Sequence, residues 1–308
     1  MDADQLTINL KRWRWTMIIT VASGKGGTGK TTVAVNLALT LENILSVQIL
    51  DCDVEEPNVH LFLHPEFKYS EIVTLPVPAV DQGKCVGCGK CSEICAFNAI
   101  IVLGTKVVIF PELCHGCGGC SRFCPEGAIS ENPREIGGIK GGWAGQIGFI
   151  QGRLNVGNPL APTVINAVKK RGKTSQADVA IIDAPPGTTC SVVASLKDCD
   201  FCILVTEPTP FGLNDLILAV DVARHLQIPF GVVINRADLG NKDILYYCEG
   251  EEIPILAQIP FDRRYAACYA RGGRLVEEFP ELKEAFKELW ERICALAKYD
   301  PIDKGAIH

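Results

Sequence analysis

The chain has 308 residues, 47% hydrophobic and 21% charged, which supports a large buried core in about two domains and excludes wholesale disorder. A net charge of −6 argues against a general nucleic-acid binder or a polybasic membrane binder. No apolar run reaches the roughly 18 residues needed to cross a bilayer.

The opening MDADQLTINLKRWRWT has no apolar stretch of signal-peptide type, so a cytoplasmic location is expected. No role is assigned to residues 1–16, and Met17 directly precedes the first predicted strand. Residues 17–22, MIITVA, are a short apolar, β-branched run of the kind found in buried parallel strands. SGKGGTGKTT follows, then VAVNLALTLEN with helical apolar spacing. Gly24, Gly29, Lys30 and Thr31 fit G-x-x-x-x-G-K-[ST] in the required strand, loop, helix context. In that context backbone N–H groups from Gly24, Gly26, Gly27, Thr28, Gly29, Lys30, Thr31 and Thr32 can converge on phosphate oxygens. Lys30 reaches the outer phosphates, and Thr31 takes Mg2+.

With Lys25 added, G-K-G-G-T-G-K-T-T resembles the deviant Walker A of the MinD/ParA/Mrp ATPases and the nitrogenase iron protein. The resemblance implies that Lys25 reaches across a nucleotide-dependent homodimer to the partner's nucleotide. The plainer reading of Lys25 is a solvated loop lysine, yet a like charge beside Lys30 is wasteful unless phosphate is shared.

VQILDCDVEEPN is predicted to be a strand whose alternation puts Asp51 and Asp53 on one face at its carboxyl edge, where open α/β sheets bind ligands. In the family this is the switch segment. Asp53 matches the water-orienting aspartate near Mg2+, and Asp51 is expected to be structural.

Fifteen cysteines in a reducing compartment suggest metal ligation rather than disulfides. Cys85, Cys88, Cys91 and Cys95 follow C-x2-C-x2-C-x3-C. Adding 29 to each gives Cys114, Cys117, Cys120 and Cys124, and the register continues from Ala99-Ile100 to Ala128-Ile129. One unit is written twice. Residues 78–133 resemble a bacterial-type ferredoxin, in which the fourth cysteine of each run ligates the other cluster. Cys85, Cys88, Cys91 and Cys124 are therefore assigned to one [4Fe-4S], and Cys95, Cys114, Cys117 and Cys120 to a second. Ala96 departs from the usual proline, which Pro125 keeps in the second run. The rival metal is zinc, but structural zinc sites draw on paired C-x2-C knuckles rather than triplets ending in x3-C. His115 is superfluous to both quartets. Cys52, Cys199, Cys202, Cys248, Cys268 and Cys294 read as core thiols.

ADVAIIDAPPGTTCSVV is a strand ending in Asp183, the Walker B position that holds Mg2+ through water. Cys190 lies in a loop that in the nitrogenase iron protein carries a cluster ligand; the alternative is a helix-start thiol. FGVVINRAD ends in Asn235, which in the family contacts adenine, and the loop around Pro260 and Asp262 is expected to close over the base. Asn235-Arg236-Ala237-Asp238 also resembles the guanine-reading N-K-x-D, though the wider resemblance selects ATP. The predicted helix over residues 281–298 balances four acidic against four basic residues, which favours packing on the core over membrane binding.

Seven strand patterns alternating with helices predict a doubly wound, mostly parallel α/β sheet, SIMIBI-like within the P-loop NTPases, with a small inserted ferredoxin-like α+β domain. The proposed limits are 17–76 and 141–300 for the ATPase and 77–140 for the insert, with Pro76-Val77-Pro78 and the glycines Gly137, Gly138, Gly141 and Gly142 marking its edges. The expected cofactors are ATP, Mg2+ and two [4Fe-4S] clusters. Three functions stay open. The leading one is nucleotide-gated electron transfer with a partner protein, candidates including a paralogous ATPase. The others are a Mrp-type iron-sulfur carrier and a MinD/ParA-like positioning ATPase with redox-sensing clusters. Full four-cysteine ligation speaks against easy cluster release.

Overall fold

The computed structural model describes residues 17–300; the extension over 1–16 lies outside them. Eleven strands are present among the described residues: β1 (Met17–Ala22), β2 (Val47–Asp51), β3 (Glu66–Val80), β4 (Ile100–Leu103), β5 (Lys106–Ile109), β6 (Ile129–Ala144), β7 (Ile147–Leu154), β8 (Val179–Asp183), β9 (Phe201–Thr206), β10 (Phe230–Asn235) and β11 (Ile255–Ile259). Nine form one sheet in the order β11-β10-β9-β1-β8-β2-β7-β6-β3, and β4 pairs with β5 alone. From β11 to β7 all neighbours are parallel, whereas β6 runs antiparallel to β7 and β3 antiparallel to β6. The strand order reverses direction around β1, so the crevice at its carboxyl end is where such a sheet binds ligands.

Alternation along β1 assigns the two faces. Met17, Ile19 and Val21 pack with the helices Lys30–Leu41 and Pro280–Ala297. Ile18 and Ala22 point the other way, toward the helices Ala161–Gly172, Cys190–Leu196 and Pro210–His225. Leu282, Phe286, Leu289, Trp290 and Ile293 of the last helix are all buried against the sheet. Most of its apolar face is thereby covered, Leu296 staying exposed near its end, and among the described residues no helix is long and apolar enough to cross a membrane.

The seven predicted strands are all present. The sequence reading lacked β3 and β6, two long arms that extend the sheet and continue outward as a ribbon. Pro76, Pro78 and the glycines lie inside these strands rather than in linkers. Beyond Gly137 the β6 arm no longer pairs with β7, so Pro76 and Pro133 face each other in a two-stranded ribbon, where a missing outward N–H costs no sheet bond. Gly141 is needed for packing, since a Cβ there would sit 2.2 Å from the Tyr69 hydroxyl.

Candidate functional site

The loop after β1 begins the helix Lys30–Leu41 with two left-handed residues, Gly27 (φ 79°) and Gly29 (φ 100°), a conformation that glycine adopts without strain. A glycine-rich loop of this kind at a helix N-terminus can turn its N–H groups toward phosphate oxygens. Thr31 Oγ1 donates to Asp183 Oδ2 at 2.6 Å. Asp183 Oδ1 and Thr28 Oγ1 are buried with no hydrogen-bond partner among the described residues. Buried polar atoms normally find partners. An oxygen pair from Thr31 and Asp183 with a spare carboxylate oxygen suits a hydrated Mg2+, and Thr28 suits a phosphate oxygen.

Asp183, fully buried, has its carboxyl pushed up to about 7 by desolvation, although the Thr31 hydroxyl and Lys30 oppose this. Burial pulls the Lys30 ammonium down, against the attraction of Asp183 and Asp53. Asp53, half-buried, is raised by desolvation against Lys30. Without a ligand, then, Lys30, Asp53 and Asp183 form an under-solvated charge cluster, which a Mg2+-polyphosphate would compensate.

Asp53 is not on the strand, as alternation had suggested: β2 ends at Asp51. Asp51 accepts from the backbone N–H groups of Asp53, Asn58 and Val59. Its expected structural role thus takes a definite form, holding the Asp53 loop. Asp51 pairs in register with Asp183 across β2 and β8; burial and this neighbour raise its carboxyl well above the usual range.

Lys25 is partly buried and paired. Its Nζ meets Glu207 Oε1 at 2.6 Å, and Arg236 Nη1 meets Glu207 Oε2 at 2.9 Å. Sequence reasoning missed Glu207, although it follows β9 at the same carboxyl edge as Asp51 and Asp183. Asn235 lies beside the P-loop, its Nδ2 donating to Thr28 O at 2.9 Å. A Cβ on Gly29 would strike that amide at 2.5 Å, so Asn235 and Gly29 fit each other. Asp262 caps the helix Arg263–Ala270 and binds Arg264, so its carboxylate shapes the loop. Pro260 is exposed, and Asp238 braces this loop by accepting from Phe261 N.

The eight clustered cysteines divide between two cavities. Cys85, Cys88, Cys91 and Cys124 line one, together with Gly87, Gly89 and Val102. Cys95, Cys114, Cys117 and Cys120 line the other, with Ile94, Phe97 and His115. His115 is therefore a wall of the second cavity, its ring stacked on Phe97 at 3.7 Å. Among the described residues no three His, Cys, Asp or Glu side chains are gathered around a single-ion site. The 29-residue repeat is also a structural one. Gly89 and Gly118, both left-handed, start matching short helices. Ala99 N donates to Cys95 Sγ as Ala128 N does to Cys124 Sγ. Strand pairing is exchanged in the same way: Val80 pairs with Ile129, and Ile109 with Ile100.

The remaining cysteines separate by burial. Cys52, Cys202, Cys248 and Cys268 are buried, and Cys199 and Cys294 are partly buried. Cys199 precedes β9 instead of lying on it. Desolvation raises the Cys199 and Cys248 thiols to about 11, as expected of inert core thiols. Cys190 is exposed at the start of the helix Cys190–Leu196.

A profile described as the CobQ/CobB/MinD/ParA nucleotide binding domain matches residues 19–276. An uncharacterized protein of Methanocaldococcus jannaschii is 31% identical over 90% of this chain and 96% of its own. An iron-sulfur cluster carrier protein of Pyrococcus horikoshii is 28% identical over 99% of this chain and 94% of its own. The fold is similar to that of the septum site-determining protein MinD from Pyrococcus horikoshii, complexed with Mg-ADP, with TM-score 0.59 and 22% identity, covering 94% of this chain and 99% of that one. With this match over most of its length, the chain belongs to the CobQ/CobB/MinD/ParA family of P-loop nucleotide-binding ATPases.

Proposed function

We propose that this ATPase uses its nucleotide cycle to gate two [4Fe-4S] clusters in one-electron exchange with a partner protein. The observation that supports this most is the division of the cysteines: each cavity takes three from one run and the fourth from the other, the arrangement of two-cluster ferredoxins. Cys85, Cys88, Cys91 and Cys124 would hold one cluster and Cys95, Cys114, Cys117 and Cys120 the other. Bound there, such clusters supply one-electron redox capacity.

On the nucleotide side, Gly24 to Thr32 would cradle the phosphates and Lys30 would neutralise their outer oxygens. Thr31 and Asp183 would hold Mg2+, and Asp53 would orient the attacking water, its loop fixed by Asp51. Lys25 would leave Glu207 to reach the nucleotide of a second subunit. Asn235, Pro260 and Asp262 would border the base. The insert over 77–140 would be the redox domain of the ATPase body.

Anaerobically purified protein should hold about eight irons per chain. Stoichiometric zinc in their place would end the ferredoxin reading. A redox titration with and without ATP then tests the gating: by linkage, a shift in potential must be matched by a redox-dependent ATP affinity. A second reading, a cluster carrier, is favoured by the name of the Pyrococcus horikoshii relative. Transfer of iron from the loaded protein to an apo-ferredoxin, faster than to a chelator, would select it.

A further inference from the structure

The two cavities are related by the repeat, yet they rest on different foundations. A Cβ on Gly87 would lie 2.7 Å from Gly104 O and 3.0 Å from Thr105 Cα, in the turn between β4 and β5. At the equivalent Gly116 it would lie 2.7 Å from Leu75 Cδ1 and 3.1 Å from Pro76 O, on the β3 arm. Subtracting 29 from 104 and 105 gives 75 and 76, so the same pseudo-symmetric contact is made once within the insert and once against the ATPase sheet. The apolar surroundings divide likewise. Cys114 is buried in the large cluster with Leu75, Val77 and Ala99, which also contains Leu50, Val54, Ile136, Val164 and Ile182. The other cavity is backed by a small cluster of Ile100, Val107 and Ile129, which Cys95 and Cys120 also touch but which contains none of those residues of the ATPase core.

Val54 is the link to the nucleotide. It follows Asp53 directly, is 1% exposed, and its carbonyl accepts from Leu154 N at 2.8 Å. A Cβ on Gly152 would be 2.8 Å from Val54 Cγ1 and 3.0 Å from Val164 Cγ1, and one on Gly137 would be 3.0 Å from Val164 Cγ2. Asp53's neighbour is thus packed through β7 and one helix onto the β6 arm. Close packing of this kind transmits a displacement, because such contacts cannot deform continuously.

Building on the two-cluster reading above, we propose that the two cavities are unequal. Val54 and Leu75 couple the one formed by Cys95, Cys114, Cys117 and Cys120 to the nucleotide switch, while the one formed by Cys85, Cys88, Cys91 and Cys124 is insulated from it. Val54 is a positioning residue in this scheme and touches neither nucleotide nor sulfur.

The test uses the full chain under anaerobic conditions, first shown to carry about eight irons; a chain lacking them fails the parent reading rather than this one. Cys88→Ser and Cys117→Ser each leave one cavity with a complete thiol set. In Cys88→Ser the Kd of a non-hydrolysable ATP analogue should differ at least threefold between dithionite-reduced and oxidised protein. In Cys117→Ser the two Kd values should agree. Val54→Ala should bring the ratio in the otherwise unchanged chain toward one while the iron content stays the same. Redox-dependent affinity that survives in Cys117→Ser, or a ratio untouched by Val54→Ala, overturns the proposal.

Hydrogen exchange on the unmutated protein gives an arm that needs no variant. The analogue should change protection over residues 114–120 and 74–78 at least twofold and leave 85–91 and 103–106 unchanged. An equal or reversed pattern refutes the inequality.

Discussion

Glu207→Gln keeps the shape of the Lys25 anchor and removes its charge, which makes it the sharpest probe of how the family lysine is held. Both carboxylate oxygens of Glu207 are engaged, by Lys25 at 2.6 Å and Arg236 at 2.9 Å, and its side chain is 14% exposed against 28% for Lys25. Exposed ion pairs are worth about 0.2–1 kcal/mol, and hydrogen bonds to charged groups about 1.5–3 kcal/mol. For a partly screened pair, about 1 kcal/mol per subunit is a fair figure. If Lys25 must abandon Glu207 to reach the opposite nucleotide, a homodimer forfeits that twice, about 2 kcal/mol, or roughly 30-fold in association. Sedimentation velocity in Mg-ATP, with Asp53→Ala as background to block hydrolysis, reads the effect. Glu207→Gln should reach half-dimer at a roughly 30-fold lower protein concentration. Lys25→Ala should abolish dimerisation, leave nucleotide affinity within several-fold, and erase the benefit of Glu207→Gln. Unchanged or weaker dimerisation of Glu207→Gln would show that the ion pair does not oppose closure.

Three further outcomes follow from the same geometry. Lys30→Ala should abolish nucleotide binding in calorimetry, since a buried cation beside Asp53 and Asp183 is lost, whereas Asp53→Ala should bind ATP and fail to hydrolyse it; normal turnover would remove Asp53 from the water-positioning role. Cys95→Ala should disturb the cluster of the Cys114 run, and Cys124→Ala that of the Cys85 run, as read by EPR; loss of the cluster nearer in sequence in each case would refute the crossed assignment. Burial pushes the Asp183 carboxyl up to about 7 in the folded chain, whereas an ordinary aspartate in the unfolded chain sits at about 3.9. Between those limits the folded state holds the extra proton, so the nucleotide-free protein loses stability as pH rises through the window. The melting temperature of Asp183→Asn relative to the unmutated protein should therefore climb from pH 4 to 7 and level off above it, and a constant difference would contradict the sign.

The parallel half of the sheet and the P-loop were legible because each rests on a local rule. Apolar β-branched runs such as MIITVA and VAIID announce buried strands, and the glycine spacing around Lys30 announces the phosphate loop. The 29-residue offset likewise announced the doubled unit, and the resemblance to two-cluster ferredoxins implied the crossed grouping of its cysteines. Local rules failed where partners lie far away in sequence. Pro76 and Gly141 read as domain edges, because nothing nearby reveals that Pro133 lies across a ribbon or that Tyr69 lies over Gly141. Asp53 was placed on the strand because alternation cannot foresee that Asp51 turns to bind three backbone N–H groups and ends it. Glu207 escaped notice since a lone carboxylate after β9 gains meaning only when Lys25 and Arg236, from 182 residues before it and 29 after it, arrive at its two oxygens.

The position of the cysteine segment bears on the proposed gating. Strands β2 and β7 are parallel neighbours, and parallel neighbours need a crossover of about a dozen residues. Here the crossover runs from residue 52 to residue 146 and contains both the Asp53 loop and the whole cysteine segment. Lengthening a connection raises its closure entropy slowly, about 0.6 kcal/mol per doubling, so any of the sheet's crossovers could have carried a passenger at similar cost. A passenger hung between β9 and β10 would be tethered to the ATPase without sharing a strand with its switch. In this chain the cysteine segment instead stands on β3 and β6, and β6 is hydrogen-bonded along β7, whose end bonds Val54. The Asp53 loop and the ribbon that carries the thiols thus lie in one connection, with the helix His60–Leu63 between them. That connectivity is what the proposed gating needs, because the Asp53 loop and the thiol-bearing ribbon belong to a single crossover.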